Sequence, residues 1–141
     1  MPIVLSPQQE AAIRAHGQKA YPQECCGFLV GVDGDETVAH AVIPAGNMRG
    51  DSPQNRYAIA PEELYAVDRA ARSDGQGVVG IYHSHPDVAA RPSEYDREHA
   101  CPWYCYVIVS VKSGKADELR NWRLTDDASG FLEDAITIRG E

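Results

Sequence analysis

The sequence predicts an α+β fold in which helices pack on one mixed β-sheet. Two well-separated segments begin with helix-start signals, and several short runs rich in β-branched and aromatic residues lie before, between and after them. The chain has no internal repeat, linker or low-complexity tract. Its 141 residues suffice for one domain with a real core, so residues 1–141 are expected to form a single domain.

The first helix is predicted from its capping residues. Ser6 is suited to the N-cap, Pro7 to the first helical position and Gln9 to the third residue of a capping box. The helix should run to about Ala20. Its predicted buried face comprises Ala12, Ile13, His16 and Ala20.

A hairpin and a polar loop are predicted next. Cys25–Val32 is an apolar strand, Asp33-Gly34 is a turn, and Glu36–Ile43 returns as the second strand. The polar stretch Pro44–Gln54 is either a functional loop or a plain surface loop. Arg56–Ala60 is predicted to form a short strand.

The second helix begins at Pro61, and acidic residues in its first turn favour the helix dipole. Its apolar stripe comprises Leu64, Val67 and Ala71, and Gly75 is predicted to cap it.

Three further strands are predicted near the end of the chain. Trp103–Val111 is the most strand-like run, and a turn at Ser113-Gly114 joins it to Asp117–Leu124. Phe131–Ile138 alternates enough to form a final strand.

The strand at Val78–Tyr82 leads into the sequence His83-Ser84-His85-Pro86. Side chains two apart on a strand share one face, so the two imidazoles can converge while Ser84 points away. Pro86 lacks an N–H group and is expected to end the ladder.

A second polar pair follows six loop residues, as Ser93-x-x-Asp96. This spacing predicts the first turn of a short helix, with both side chains on one face. Ser93 could serve only as an N-cap, a common role for serine. Together with the two histidines, however, the carboxylate of Asp96 gives a set of three ligands, two imidazoles and one oxygen. This is the pattern of a catalytic zinc site with an open fourth position.

At these residues the chain resembles the JAMM (MPN-plus) zinc metalloproteases. That family has His-Ser/Thr-His-Pro, about six residues and then Ser-x-x-Asp, matched here by residues 83–86, Ser93 and Asp96. The family's upstream glutamate corresponds to Glu24, within Pro22-Gln23-Glu24-Cys25-Cys26-Gly27, a context typical of the small prokaryotic members. The resemblance covers nearly the whole chain and implies a JAMM/MPN domain of the cytidine-deaminase-like type.

The resemblance also implies a mechanism. One zinc ion per chain would be held by His83, His85 and Asp96, and Glu24 would be the general base that moves a proton from water to the leaving amine. Ser93 would donate to the oxyanion of the tetrahedral intermediate. Taken without the motif, Glu24 is better interpreted as a solvated glutamate after a helix.

The implied substrate is a ubiquitin-like or sulfur-carrier protein, cut after its C-terminal diglycine. Such an extended tail needs a narrow groove and commonly binds by adding a strand to a sheet edge. The alternative is a non-catalytic MPN-type protein-binding module. A zinc deaminase is excluded because the chain has neither Cys-x-x-Cys nor His-x-Glu.

Composition limits the partners and the compartment. With 13 basic and 21 acidic residues the net charge is −8, which argues against nucleic acid and anionic membranes as partners. No signal peptide or membrane-spanning run is evident, so we expect a cytoplasmic protein with reduced cysteines. The four cysteines are interpreted as structural, although Cys101 follows the predicted metal helix closely, and His99 is expected to face solvent.

Overall fold

A computed structural model describes residues 1–47 and 57–140 of the chain. Within these ranges three helices and eight strands follow one another along the sequence. Their bounds are Ile3–Leu5 (β1), Pro7–Ala20 (α1), Cys26–Val32 (β2), Thr37–Ala45 (β3), Pro61–Arg72 (α2), Gly77–Pro86 (β4), Glu94–His99 (α3), Cys105–Lys112 (β5), Lys115–Leu124 (β6), Phe131–Asp134 (β7) and Ile136–Ile138 (β8).

All eight strands belong to one mixed sheet in the order β7-β6-β5-β4-β2-β3-β1-β8. The β2–β3, β2–β4, β5–β6 and β6–β7 pairs are antiparallel, whereas β4–β5, β1–β3 and β1–β8 are parallel. Ala135 alone separates β7 from β8, so the two outermost strands meet and the sheet must curl round on itself. The mixed sheet predicted from the sequence is confirmed.

The two faces of the sheet carry different helices and different cores. One core cluster includes Ile13 of α1 together with Tyr82, Val107 and Val109, while the other joins Ile81 and further sheet residues to α2. From Ile81 to His85, successive residues of β4 therefore alternate between the α2 face and the α1 face. The histidines of β4 lie in the same alternation as Ile81, on the α2 face.

Helix α1 has the predicted bounds and capping box, but its buried face differs from the prediction. Ser6 and Gln9 exchange both capping hydrogen bonds. Ile13 is buried as expected, whereas Ala12 is exposed and Gly17 is buried in its place. A Cβ atom on Gly17 would lie 3.0 Å from Cγ2 of Val111, so the helix approaches the sheet too closely for a larger residue.

Helix α2 begins at Pro61 as predicted and ends at Arg72, with Ser73 at its C-cap. Gly75 caps the end of the helix as predicted: its φ is +73°, its N–H donates to the Arg72 carbonyl, and the N–H of Gln76 donates to the Ala71 carbonyl, which is the Schellman pattern. Strand β4 itself continues past Tyr82 to Pro86, so both histidines lie within the strand.

Two predictions about strands are wrong, and one strand was not predicted. Tyr57–Ala60, the described part of the strand predicted at Arg56–Ala60, is not a strand, because the N–H of Ala58 bonds the side chain of Asn47. The segment Phe131–Ile138 forms two strands, which lie at opposite ends of the sheet. Strand β1 was not predicted.

Part of the segment predicted to form the second strand and the polar loop lies outside the described ranges. Residues 44 and 45 extend β3, and residues 48–56, including most of the predicted polar loop, lie outside the described residues. No helix within 1–47 or 57–140 is both long and apolar enough to cross a membrane.

Candidate metal centre

Strand β4 places His83 and His85 side by side. Their ring centroids are 5.1 Å apart, and both side chains are buried. Ser84 points to the opposite face, where its Oγ accepts a hydrogen bond of 2.8 Å from the N–H of Cys25. This is the geometry that the His-x-His spacing predicts for a strand.

Helix α3 brings Asp96 to the two histidines. Ser93 is its N-cap and forms a full capping box: Oγ of Ser93 accepts from the N–H of Asp96, and the N–H of Ser93 donates to Oδ2 of Asp96 at 2.8 Å. Oδ1 of Asp96 lies 3.8 Å from Nε2 of His83, and Oδ2 lies 3.2 Å from Nε2 of His85. Each carboxylate oxygen therefore faces a different imidazole.

Glu24 reaches the same point from the segment just before β2. The pairing of Cys25 with Ser84 sets Glu24 beside β4, and Nδ2 of Asn47 donates to the Glu24 carbonyl at 3.2 Å. Oε1 of Glu24 then lies 3.7 Å from Nδ1 of His83. Glu24, His83 and His85 each offer a potential ligand atom within 4.8 Å of the others.

Several polar atoms at this cluster lack a partner. Among the described residues, Oε1 of Glu24 and both ring nitrogens of His83 are buried without a hydrogen bond. Buried polar groups are normally paired, and an unpaired one costs about 1–3 kcal/mol. Two imidazoles and two carboxylates are also the donor set that zinc prefers, so these residues fit a bound zinc ion.

The hydrogen bonding of His85 supports the same conclusion. Nδ1 of His85 lies 2.9 Å from the carbonyl oxygen of Ala89, which can only accept, so Nδ1 carries the proton. Nε2 then faces Oδ2 of Asp96, another acceptor, at 3.2 Å. A second proton or a shared cation resolves this contact between two acceptors.

Burial and charge shift the pKa values of all four side chains. Burial raises the pKa of Glu24 to about 8 and lowers that of His83 to about 4. Burial also acts to lower the pKa of His85, but the hydrogen bond and charge of Asp96 reverse the effect and raise it. For Asp96, burial opposes ionisation, and the adjacent histidines nevertheless hold its pKa well below the usual range.

Tyr57 is a site residue that the sequence analysis missed. Its ring stacks on His83 with a centroid separation of 4.4 Å, and its carbonyl accepts a hydrogen bond from the Tyr95 hydroxyl. Tyr57 also lines a mainly apolar recess of about 270 Å³, together with Ile81 and Tyr106. It was missed because it follows residues of loop composition and has no motif around it.

The remaining residues singled out in the sequence lie around this centre. All four cysteines are free thiols, and burial raises the pKa of Cys25 to about 11 and of Cys26 to about 12, which fits the structural interpretation. Cys101 is half-buried and lines the apolar recess. His99 is exposed as expected, and its ring stacks on Tyr95.

Comparison with known proteins identifies several relatives of this chain. It is 35% identical to the CysO-cysteine peptidase of Mycobacterium tuberculosis over 119 residues, which cover 83% of this chain and 79% of that protein. It is 41% identical to the desampylase of Haloferax volcanii over 90 residues, 63% of each chain. A probable TtuB-protein conjugate cleaving protease from Thermus thermophilus is 32% identical over 73% of this chain and 66% of its own length. The alignment thus spans less than two thirds of the desampylase.

Solved structures and a family model agree with these relatives. A protein from Desulfitobacterium hafniense superposes with a TM-score of 0.84 at 30% identity, covering 100% of this chain and 94% of its own. A JAB1/MPN domain protein from Archaeoglobus fulgidus, 19% identical, shares the fold with a TM-score of 0.56 over 97% of this chain and 99% of its own. The model for prokaryotic homologues of the JAB domain matches residues 6–125. The chain therefore belongs to the prokaryotic JAB family, within the JAMM/MPN proteins.

Proposed function

We propose that this chain is a zinc-dependent JAMM-type metallopeptidase. It would hydrolyse a peptide or isopeptide bond after the C-terminal diglycine of a ubiquitin-like or sulfur-carrier protein. The observation that carries this proposal is the convergence of Glu24, His83, His85 and Asp96, from three separate segments, on one buried point with unpaired polar atoms.

His83, His85 and Asp96 would hold one zinc ion per chain. Bound zinc supplies Lewis acidity, which polarises a carbonyl and activates water at neutral pH. Glu24 lies beside this group, with a carboxylate oxygen within 4.8 Å of ring nitrogens of both histidines. Its carboxylate would accept the proton released by the attacking water and deliver it to the leaving amine.

Ser93 would combine a structural role with a catalytic one. Its Oγ accepts from the N–H of Asp96, which leaves the hydroxyl hydrogen free to donate elsewhere. Ser93 is exposed at the start of α3, three residues before Asp96, so a substrate carbonyl can reach it. A donor there would stabilise the negative charge that develops on that carbonyl oxygen.

The names of the relatives and the shape of the site support the proposed substrate class. The relatives are named for acting on CysO-cysteine and TtuB-protein conjugates, and a weaker match is a Lys-63-specific deubiquitinase. The apolar recess beside His83 offers space for a substrate segment next to the reacting bond. Glycines at the end of a tail would let its backbone approach the buried cluster without side-chain clashes.

The free thiols agree with a cytoplasmic setting, which we propose on this basis. We also propose that residues 1–141 act as a single JAMM/MPN-plus domain.

The ligand assignment is tested with full-length wild type, Glu24→Gln and Asp96→Asn. Bound zinc is measured by elemental mass spectrometry after reconstitution, and each protein is assayed with a ubiquitin-like carrier extended past its diglycine. One zinc in wild type and in Glu24→Gln, with cleavage by wild type alone, would support a base role for Glu24. Loss of zinc in Glu24→Gln but not in Asp96→Asn would instead make Glu24 a ligand.

The substrate assignment is tested separately with a matched carrier whose two terminal glycines are replaced by alanine. Wild type should cleave the diglycine carrier and leave the dialanine carrier intact. Equal cleavage of both carriers would support the proposed peptidase activity and show that the diglycine is not required. Zinc binding without cleavage of either carrier would discard this substrate class, and absence of zinc binding would favour the non-catalytic binding module.

A further inference from the structure

The loop that follows β4 presents three consecutive carbonyl groups, and each accepts a hydrogen bond from a different side chain. Oγ of Ser110 donates to Val88 O at 2.7 Å, Nδ1 of His85 to Ala89 O at 2.9 Å and Nε1 of Trp122 to Ala90 O at 2.9 Å. Only the middle donor belongs to the candidate metal centre. The two outer donors have no part in the family motif.

The hydrogen bond between His85 and the Ala89 carbonyl sets the tautomer and the ring orientation of His85. Because the Ala89 carbonyl can only accept, it holds the proton on Nδ1 and leaves Nε2 directed at Asp96, 3.2 Å away. Partners of this kind fix the tautomer and the ring orientation of metal-binding histidines. The orientation of His85 therefore depends on where the Ala89 carbonyl lies.

Ala89 cannot hold that carbonyl in place by itself. Its side chain is a methyl group, and the residue is exposed. The N–H of Arg91 also donates to the Ala89 carbonyl at 2.8 Å. The carbonyls on either side, those of Val88 and Ala90, are both held by side chains from the sheet, and these contacts add to the positioning of Ala89.

Ser110 is placed to act on His85 through this loop. It lies on β5 in direct register with His85 across the parallel ladder, so the two side chains share a face. Ser110 is fully buried between Val109 and Val111 in β5, and its hydroxyl donates to the loop. A buried hydroxyl in such a strand needs a partner, and here the partner is the carbonyl that precedes Ala89.

Trp122 holds the carbonyl that follows Ala89 in the loop. It lies on β6, and its indole N–H reaches the carbonyl of Ala90, a residue that is itself fully buried. The indole nitrogen can only donate, so this contact sets the direction of the Ala90 carbonyl.

We propose that Ser110 and Trp122 are positioning residues that fix the Ala89 carbonyl and thereby orient His85 for metal binding. This inference rests on the proposed zinc site, but its first consequence, the tautomer of His85, exists without metal. Partners of metal-binding histidines typically change metal affinity by about 10- to 100-fold when they are removed. Ser110 and Trp122 act one step further away, so removing both should weaken zinc binding by about tenfold.

The test uses full-length Ser110→Ala, Trp122→Phe, the double variant and Ser110→Thr, which keeps the hydroxyl. The zinc Kd is measured by competition with a chelator, and the tautomer of neutral His85 is read from the ¹⁵N chemical shifts of the metal-free protein. We expect an Nδ1-protonated ring in wild type and Ser110→Thr, and mixed tautomers with about tenfold weaker zinc binding in the double variant.

Two controls separate orientation from stability. Val109→Ala creates a cavity on the α1 face of β5, the strand that carries Ser110. Trp103→Phe changes an exposed tryptophan outside the loop that follows β4. Both should keep the wild-type tautomer and zinc Kd, although Val109→Ala lowers the melting temperature. An unchanged His85 tautomer in the double variant, or an equal loss of zinc affinity in Val109→Ala, would overturn the inference. If wild type binds no zinc, the proposed function fails while the tautomer still decides this inference.

Discussion

Oε1 of Glu24 lies 3.7 Å from Nδ1 of His83, and neither atom has a hydrogen-bond partner among the described residues. Both side chains are almost completely buried, with 5% of Glu24 and 0% of His83 exposed, so bulk solvent does not reach these atoms. The metal-free chain thus carries unpaired polar groups in its interior, at a free-energy cost that a bound cation would remove.

Zinc should therefore stabilise the folded chain. At a free zinc concentration 100 times the Kd, binding to the native state alone adds about 2.7 kcal/mol to the free energy of unfolding. Differential scanning fluorimetry with and without zinc measures this as a rise in melting temperature, and a chelator should reverse it. His83→Ala should lose the zinc-dependent rise, whereas His40→Ala, at an exposed position on β3, should keep it. A full rise in His83→Ala would exclude His83 as a ligand.

Substitutions of Ser93 separate its two roles. Ser93→Ala removes the N-cap and should destabilise the protein by about 1 kcal/mol, while Ser93→Gly costs only a few tenths of that. If the hydroxyl also donates to the oxyanion, both variants should lose about 100- to 1,000-fold in kcat. Urea unfolding and steady-state kinetics measure the two effects independently. Equal activity of Ser93→Gly and wild type would leave Ser93 as a cap alone.

Gly27 should tolerate no side chain. A Cβ atom at this position would lie 2.2 Å from the ring of Tyr82, its partner across the β2–β4 ladder. Gly27→Ala should therefore destabilise the chain by about 1–3 kcal/mol in urea unfolding. Gly34→Ala is the matched control, because an added Cβ atom there would lie 3.4 Å from its nearest neighbour, an ordinary contact distance. Adding Tyr82→Leu should recover part of the loss, and a purely additive double variant would argue against the clash.

His16 should make the stability of the chain depend on pH. Burial, with a smaller effect of Lys19, lowers the pKa of His16 below its ordinary value of 6.5, and its Nδ1 lies 2.7 Å from the Tyr82 hydroxyl. The unfolded chain then takes up this proton at a higher pH than the folded chain. The contribution of neutral His16 is therefore present above about pH 6.5 and is lost as the pH falls below it.

NMR titration of His16 should give a midpoint below 6.5. In urea unfolding at pH 7.5 and 5.5, wild type should lose more stability than His16→Gln. The same loss in both proteins would show that other groups account for the pH dependence.

Local chemical signals in the sequence predicted much of the structure. The capping boxes at Ser6 and Ser93 and the convergence of His83 and His85 each depend on residues close together in the chain, and all are present. Such features follow from helix and strand periodicity, which tertiary contacts rarely override when the pattern is strong.

Features that depend on distant contacts were harder to predict. Strand β1 has only three residues, and its partners β3 and β8 are distant from it in the sequence. Tyr57 was assigned to a strand because of its composition, but its position is set by stacking on His83. The burial of Gly17 depends on how closely α1 approaches the sheet. That distance cannot be predicted from the spacing of apolar residues in α1.

The meeting of β7 and β8 through Ala135 has a consequence for folding order and aggregation. Strand β8 covers the outer edge of β1, a pairing between the first and last strands of the described chain. Contacts of such large sequence separation close the longest loops, so this pairing should form late. Until it forms, β1 presents unpaired N–H and C=O groups that can recruit a strand from another molecule. Once β8 has paired, it satisfies these groups along the outer edge of β1.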